Sequence, residues 1–351
     1  MNKQRILYLD FLRIAAIFGV VVIHTCTVPW RTLSPSDLDW QIINVYNSLV
    51  RFCVPVFVMI SGAMFLDPGR DIRPRRLFTH NILRVVTAFL FWSIAYAGLS
   101  FGLNVLNGLP ITVRSIVNLT KDVVTGHYHL WFLFAIVGLY LITPFLRLIA
   151  AHRRLTEYFL LLSFTLGMLW DMLLMIPTVG STLFEIRSDM RLSFVGGYTF
   201  YFLLGDYLHR HGVSDRLRHV LYALGGLSVI ATAVGTAVWS ANMKAPNEAL
   251  FNYLLPTTAL TAAAVFLFVK QHENRIPSSD RARAVITRLS ALTFGIYLCH
   301  DLFNIALAKV GISAVSLNPV FGVPLISTAV FAAATLLAWL ISKLPFSRHI
   351  M

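Results

Sequence analysis

Charge is scarce in this chain of 351 residues: Asp, Glu, Lys and Arg make up 13% of it, about half the share in a soluble domain. That scarcity excludes an ordinary water-soluble globule. Cysteine is nearly absent. Cys26, Cys53 and Cys299 are odd in number, lie in or beside apolar runs and share no metal-ligand spacing. They read as packing residues, with no disulfide framework implied. The chain has no Gly-rich phosphate loop, no G-x-S-x-G elbow and no H-E-x-x-H pair. These absences remove P-loop ATPases, Rossmann enzymes, α/β hydrolases and zincins. No H-x-x-x-H pair on a shared face and no carboxylate-rich cluster appears among the eleven histidines and sixteen acids, so no metal is expected. No small-residue cleavage site follows the first apolar block, which reads as a retained helix and not a signal peptide. No polar stretch is long enough for a separate soluble domain, and residues 1–351 read as one transmembrane domain.

Apolar residues fill the space that charge leaves. They make up 57% of the chain, and the mean hydropathy is +0.71. They come in blocks of about twenty, long enough to cross a hydrocarbon core of about 30 Å. In lipid only a helix satisfies its own backbone groups within one segment. The fold class is therefore all-α and polytopic. The sequence predicts ten transmembrane helices, at 6–27, 42–66, 80–104, 130–149, 158–175, 193–209, 220–239, 250–269, 285–307 and 320–342. The two halves show no paired Gly- or Pro-interrupted segments of the kind that mark an inverted-repeat transporter.

The basic residues give this array a direction. The formal net charge is +13. With ten spans, nineteen Lys and Arg fall on one side, among them Arg70, Arg73, Arg75 and Arg76, and seven fall on the other. The positive-inside rule then puts both termini in the cytoplasm. The charge is a topology signal, and nucleic acid is not expected as a partner.

Three basic residues, Arg13, Arg51 and Arg84, remain inside predicted spans. A charge at mid-membrane costs a few kcal/mol even on the lenient insertion scale, so such groups face a wet cavity or a partner. Asp10 and His24 lie on the first helix with Arg13. At about 100° per residue, Arg13 and His24 fall within about 20° of each other, and Asp10 lies on the same face. The three form a polar track with a titratable base at the outer end. A plainer reading makes Asp10 and Arg13 an anchoring ion pair and His24 an end cap. Two further clusters lie toward the outer side. His127, His129 and Trp131 enter the fourth helix, where Tyr and Trp also serve as ordinary belt residues. Tyr297 and His300 share a face near the end of the ninth helix, with Asp301 next. Histidine is the usual general base near neutral pH.

These residues also carry a resemblance. Leu9-Asp10-Phe11-Leu12-Arg13 followed by Val22-Ile23-His24 resembles the opening of the membrane acyltransferase-3 family. Val54-Pro55-Val56-Phe57-Val58-Met59-Ile60-Ser61-Gly62, His129-Leu130-Trp131, Tyr140 to Pro144, Phe202-Leu203-Leu204-Gly205 and Phe294 to His300 are similar to later motifs of that family. They occur in the family's order, over about residues 5–342. Within the family the chain most resembles the enterobacterial common antigen O-acetyltransferase branch, through Asn47 to Arg51 and the Tyr128-His129-Leu130-Trp131 run. It departs from the family at the entrance to helix three. Many members carry Arg-x-x-Arg there, whereas this chain reads His80-Asn81-Ile82-Leu83-Arg84, with Arg75 and Arg76 upstream.

The resemblance implies an integral O-acyltransferase of the bacterial cytoplasmic membrane. Its donor would be cytoplasmic acyl-CoA, most simply acetyl-CoA, and its acceptor a hydroxyl of an envelope glycan or lipid-linked saccharide. His24 would act as base, with Arg13 and Asp10 beside it. Arg84, Arg75 and Arg76 would hold the CoA phosphates, for which a guanidinium fork is suited. Arg51, His127, His129, Trp131, Tyr297 and His300 would line the acceptor site. Intramembrane Arg and His also fit a transporter or flippase of a lipid-linked or anionic molecule, the alternative from another class, against which stand the unpaired half-helices and the resemblance.

Overall fold

The computed structural model describes residues 6–70, 72–190, 196–277 and 279–351, with the backbone alone at 177, 179, 187 and 348. No strand occurs among the described residues. The longer helices are, in chain order, α1 (Leu7–Thr32), α2 (Leu38–Val50), α3 (Cys53–Phe65), α4 (Leu83–Leu106), α5 (Val113–Thr125), α6 (Trp131–Ala150), α7 (Arg153–Leu162), α8 (Pro177–Met190), α9 (Tyr198–Arg210), α10 (Asp215–Met243), α11 (Pro256–Gln271), α12 (Asp280–Lys309) and α13 (Pro319–Ile341).

Eight segments are long and apolar enough to cross a membrane: Leu7–Thr32, Leu38–Phe65, Pro74–Leu106, Val113–Ala150, Asp215–Met243, Ala249–Gln271, Asp280–Lys309 and Pro319–Ile341. They carry eight of the ten predicted spans. The fifth, 158–175, falls on α7 continued through the π-helical turn Ser163–Leu169 and Trp170–Leu173, a stretch that includes Glu157 and Asp171. The sixth, 193–209, begins outside the described residues. Its described part is α9, 13 residues long, or about 20 Å at 1.5 Å per residue. Removing this adjacent pair of crossings would leave the direction of every other helix unchanged. Lys3, Arg5 and Arg191 of the charge count also lie outside the described residues.

The chain divides into two compact units, Met1–Arg70 with Leu146–Thr335 and Asp71–Phe145 with Leu336–Met351. In the first, α1 is buried on several faces and packs against α2, α3, α11 and α12. α2 and α3 form one crossing, broken at Arg51 and Phe52. Pro55 explains the break: it has no N–H to give the Arg51 carbonyl, and its ring crowds that oxygen. α3 and α9 meet backbone to backbone at two glycines. A Cβ on Gly62 would lie 1.8 Å from the Phe202 oxygen, and one on Gly205 would lie 2.0 Å from the Met59 oxygen. Without a hydrophobic drive between helices in lipid, such small-residue crossings let dispersion hold them together. Arg147 fastens the turn after α3, donating to the carbonyls of Phe65, Asp67 and Arg70 at 2.8, 3.1 and 2.9 Å.

The second unit is built around α4. It packs against α5 and the short helix Ser347–Ile350, and the Trp92 indole N–H donates to the Ile350 carbonyl at 2.9 Å. α5 is amphipathic. It is capped at its start by reciprocal Thr112 and Ser115 bonds, and it exposes Val113, Ile116, Val117 and Val124. It ends at Gly126, whose φ of 78° an L side chain rarely adopts and whose Cα faces Phe89 and Ser93 of α4.

Candidate functional site

The interface of α1 and α12 carries polar groups near both ends. At one end Ser290 donates to Asp10 Oδ1 at 2.6 Å. A hydrogen bond of this kind to a carboxylate contributes about 1.5–3 kcal/mol. Arg13 lies 3.7 Å from the same carboxylate, and its guanidinium reaches the Met64 sulfur of α3. Fourteen residues further along α1, the His24 ring meets the His300 ring of α12 with centroids 5.0 Å apart. The pairs 10 with 290 and 24 with 300 rise together, so the two helices run parallel. The predicted shared face is therefore real for Asp10 and His24, which both face α12. Arg13 turns from that face toward α3.

His300 is fully buried, and the Nδ1 proton goes to the Tyr297 carbonyl at 2.8 Å. A carbonyl can only accept, so the neutral ring carries its proton on Nδ1, and Nε2 is the basic nitrogen. The adjacent Asp301, 3% exposed, accepts from Asn304 Nδ2 at 3.0 Å. Thr25 of α1 in turn donates to Asn304 Oδ1 at 3.4 Å. One ligand-type atom from each of His24, His300 and Asp301 lies within 4.8 Å of the other two. Sequence reasoning named His24 and His300, but it left Asp301 as a neighbour and missed Thr25 and Asn304. The available signal was the polar run at 300, 301 and 304 on one turn of an apolar helix.

Arg51 stands at the break between α2 and α3. It donates to Asn47 Oδ1 at 3.0 Å, and its guanidinium lies 4.1 Å over the Phe251 ring and 5.7 Å from Tyr253. A cation over aromatic faces gains about 0.5–2 kcal/mol, and that contact holds it inside an apolar span. Tyr297 is also buried in this unit, one turn from His300.

A second histidine pair forms in the other unit. Gly126 turns the chain from α5 so that the Tyr96 ring of α4 stacks on His127 at 4.4 Å and meets His129 edge-on at 5.1 Å. The two histidines join through Nδ1 atoms 2.8 Å apart, so one ring donates and the other accepts. His129 is buried, and Trp131, at the start of α6, is 39% exposed.

The basic residues assigned to phosphate do not all meet. Arg75 and Arg76 line a cavity of about 520 Å³ with Arg73, Thr79 and His80, on the π-helical turn Leu77–Ile82 that leads into α4. Arg84 is not among that lining. Its Nε donates to the Met351 carbonyl at 2.7 Å, and the residue is exposed, whereas the sequence reading treats it as a buried phosphate ligand. The packing of Ser347–Ile350 against α4, invisible to hydropathy, accounts for that difference.

Multiple long apolar helices, with ionisable side chains turned onto one another between them, define a multi-pass α-helical membrane protein with a polar interior. The model of one family of such proteins, described as an acyltransferase domain, matches residues 6–343. The chain belongs to that family, the acyltransferase-3 proteins, and is a membrane acyltransferase. The match is to the family as a whole and selects no branch within it. No curated protein and no solved structure matches the chain.

Proposed function

We propose that the protein moves an acyl group, most simply acetyl, from cytoplasmic acyl-CoA to a hydroxyl of a cell-envelope glycan or lipid-linked saccharide, in the bacterial cytoplasmic membrane. The observation that carries this reading is the His24 ring against His300, with the Asp301 carboxylate beside both. His24 takes the proton of the acceptor hydroxyl as the oxygen attacks the thioester carbonyl, and CoA leaves as the thiol. A positioned base is worth about 10²–10⁴-fold in rate. Arg13 and Asp10, toward the other end of the same helix, line the path of the pantetheine arm. Taken by itself, the cavity of Arg75 and Arg76, with Arg73 and His80, has the charge to bind phosphate groups. Arg84 braces α4 through Met351 and acts on the phosphates only through that brace. Arg51, Tyr297 and His300 contact the acceptor. The two termini face the cytoplasm on this reading.

The test uses purified protein in detergent or nanodiscs with acetyl-CoA labelled in the acetyl group and an envelope glycan extract. Thioester consumption with label appearing in the glycan is the expected result. Intact acetyl-CoA, or equal turnover by the inserted, folded His24→Ala protein, would remove the proposal.

A further inference from the structure

The His24, His300 and Asp301 cluster has the composition of a transition-metal site. Two imidazoles and one carboxylate form a donor set that suits zinc, cobalt or iron and does not suit calcium or magnesium. Zinc takes nitrogen at about 2.0–2.1 Å and carboxylate oxygen at about 2.0–2.2 Å. Atoms within 4.8 Å of one another lie at most about 2.8 Å from a common centre, so shifts of up to about 0.7 Å each bring them onto one ion on that scale. The lone pairs are set in advance. The His300 Nδ1 proton is committed to the Tyr297 carbonyl, which leaves Nε2 to coordinate. A backbone carbonyl behind a ligating histidine is the usual support of a metal-bound imidazole. Asp301 has the matching support, its Oδ1 held by Asn304, which Thr25 reaches from the other helix. His300 and Asp301 are both buried, so solvent competes little for the ion.

We infer that His24, His300 and Asp301 form a site for a divalent metal of the zinc class, and that its occupancy silences the enzyme. Three protein ligands leave at least one coordination position open. The His24 nitrogen that binds the ion cannot also accept the proton of the acceptor hydroxyl. Metal and reacting hydroxyl therefore compete for one lone pair. The inhibitory half of this inference rests on His24 being the base, whereas the binding half does not.

Cobalt(II) titrated into metal-free purified protein reads binding without any turnover. A visible ligand-field spectrum of a four- or five-coordinate ion is expected. It should be lost in Asp301→Ala and His300→Ala and retained in His219→Ala, a histidine away from the cluster. Asn304→Ala keeps the ligands and removes one support, and should weaken Co²⁺ by about 10–100-fold. Zn²⁺ should stop acyl transfer reversibly, with EDTA restoring it, and the half-inhibiting concentration should rise in Asn304→Ala in step with the Co²⁺ affinity. Melting temperatures and monodispersity show that each variant is folded, and Asp301→Asn serves if the alanine variant is not. Absence of a Co²⁺ spectrum in the native protein, or equal affinity in Asp301→Ala, Asp301→Asn and Asn304→Ala, overturns the site. A Co²⁺ spectrum together with full turnover by His24→Ala leaves the site standing and removes the base. An inactive His24→Ala with no Co²⁺ spectrum does the reverse.

Discussion

The two compact units treat charge and close approach in opposite ways. In the first, ionisable groups are turned onto partners between helices. Asp10 meets Ser290, the His24 ring meets His300, Arg51 lies on an aromatic face, and Arg147 serves three carbonyls. In the second, Arg73, Arg75 and Arg76 are exposed around an open cavity. Some of their helical glycines differ in the same sense, although Gly226 of the first unit is open. Gly62 and Gly205 of the first unit touch backbone, while Gly98, Gly102 and Gly138 of the second have nothing within 4 Å of an added Cβ. One unit is built for precise placement in a low dielectric, where a misplaced polar group costs several kcal/mol. The other presents groups to whatever arrives.

Single substitutions can break that contrast. The largest effect is expected at His24: the alanine variant should lose about 10²–10⁴ in kcat, measured by label transfer, with the melting temperature little changed. If an arginine of the exposed cavity cost as much in kcat, the division of labour would fail. Replacing Arg75 and Arg76 together by alanine should act on binding. A charge-assisted bond is worth about 1.5–3 kcal/mol, so KM for acetyl-CoA should rise about 10–100-fold while kcat stays near native. Gly205→Ala comes next. Its methyl meets the Met59 carbonyl, and overpacking of that kind costs about 1–3 kcal/mol, read as a lower midpoint in detergent unfolding. Gly138→Ala should do the opposite, gaining up to about 1 kcal/mol from helix propensity in open space. Equal signs for the two glycines would erase the difference between the units.

Much of the helical layout is legible in the chain because hydropathy and backbone hydrogen bonding in lipid leave few options. Eight predicted spans fall on crossing-length helices. The face joining Asp10 to His24 follows from helical period alone, and both residues do meet α12. What the sequence hides is the identity of the partners. Ser290 and His300 lie some 280 residues from the groups they contact, and no local period reports such a pairing. Arg13 shows the same limit, since its long side chain leaves its own face to reach Met64. Arg84 is exposed where its place inside a predicted span suggests burial, and its acceptor, Met351, lies beyond any predicted span. Asp301 and Asn304 were legible as polar residues in an apolar helix, yet their roles emerge only when Thr25 of α1 is brought beside them. The break at Arg51, which the predicted span 42–66 runs straight through, follows from Pro55 once the structure shows it.

The parallel alignment of α1 and α12 has a consequence for biosynthesis. Asp10 and Ser290 are 280 positions apart. A ribosome adding about 5–20 residues per second delivers the serine roughly a quarter of a minute to a minute after the aspartate. Throughout that interval the Asp10 carboxylate lacks this donor. The contacts of α1 with Ser290, His300 and Asp301 therefore form late and together, and a nascent chain stalled before α12 has none of them.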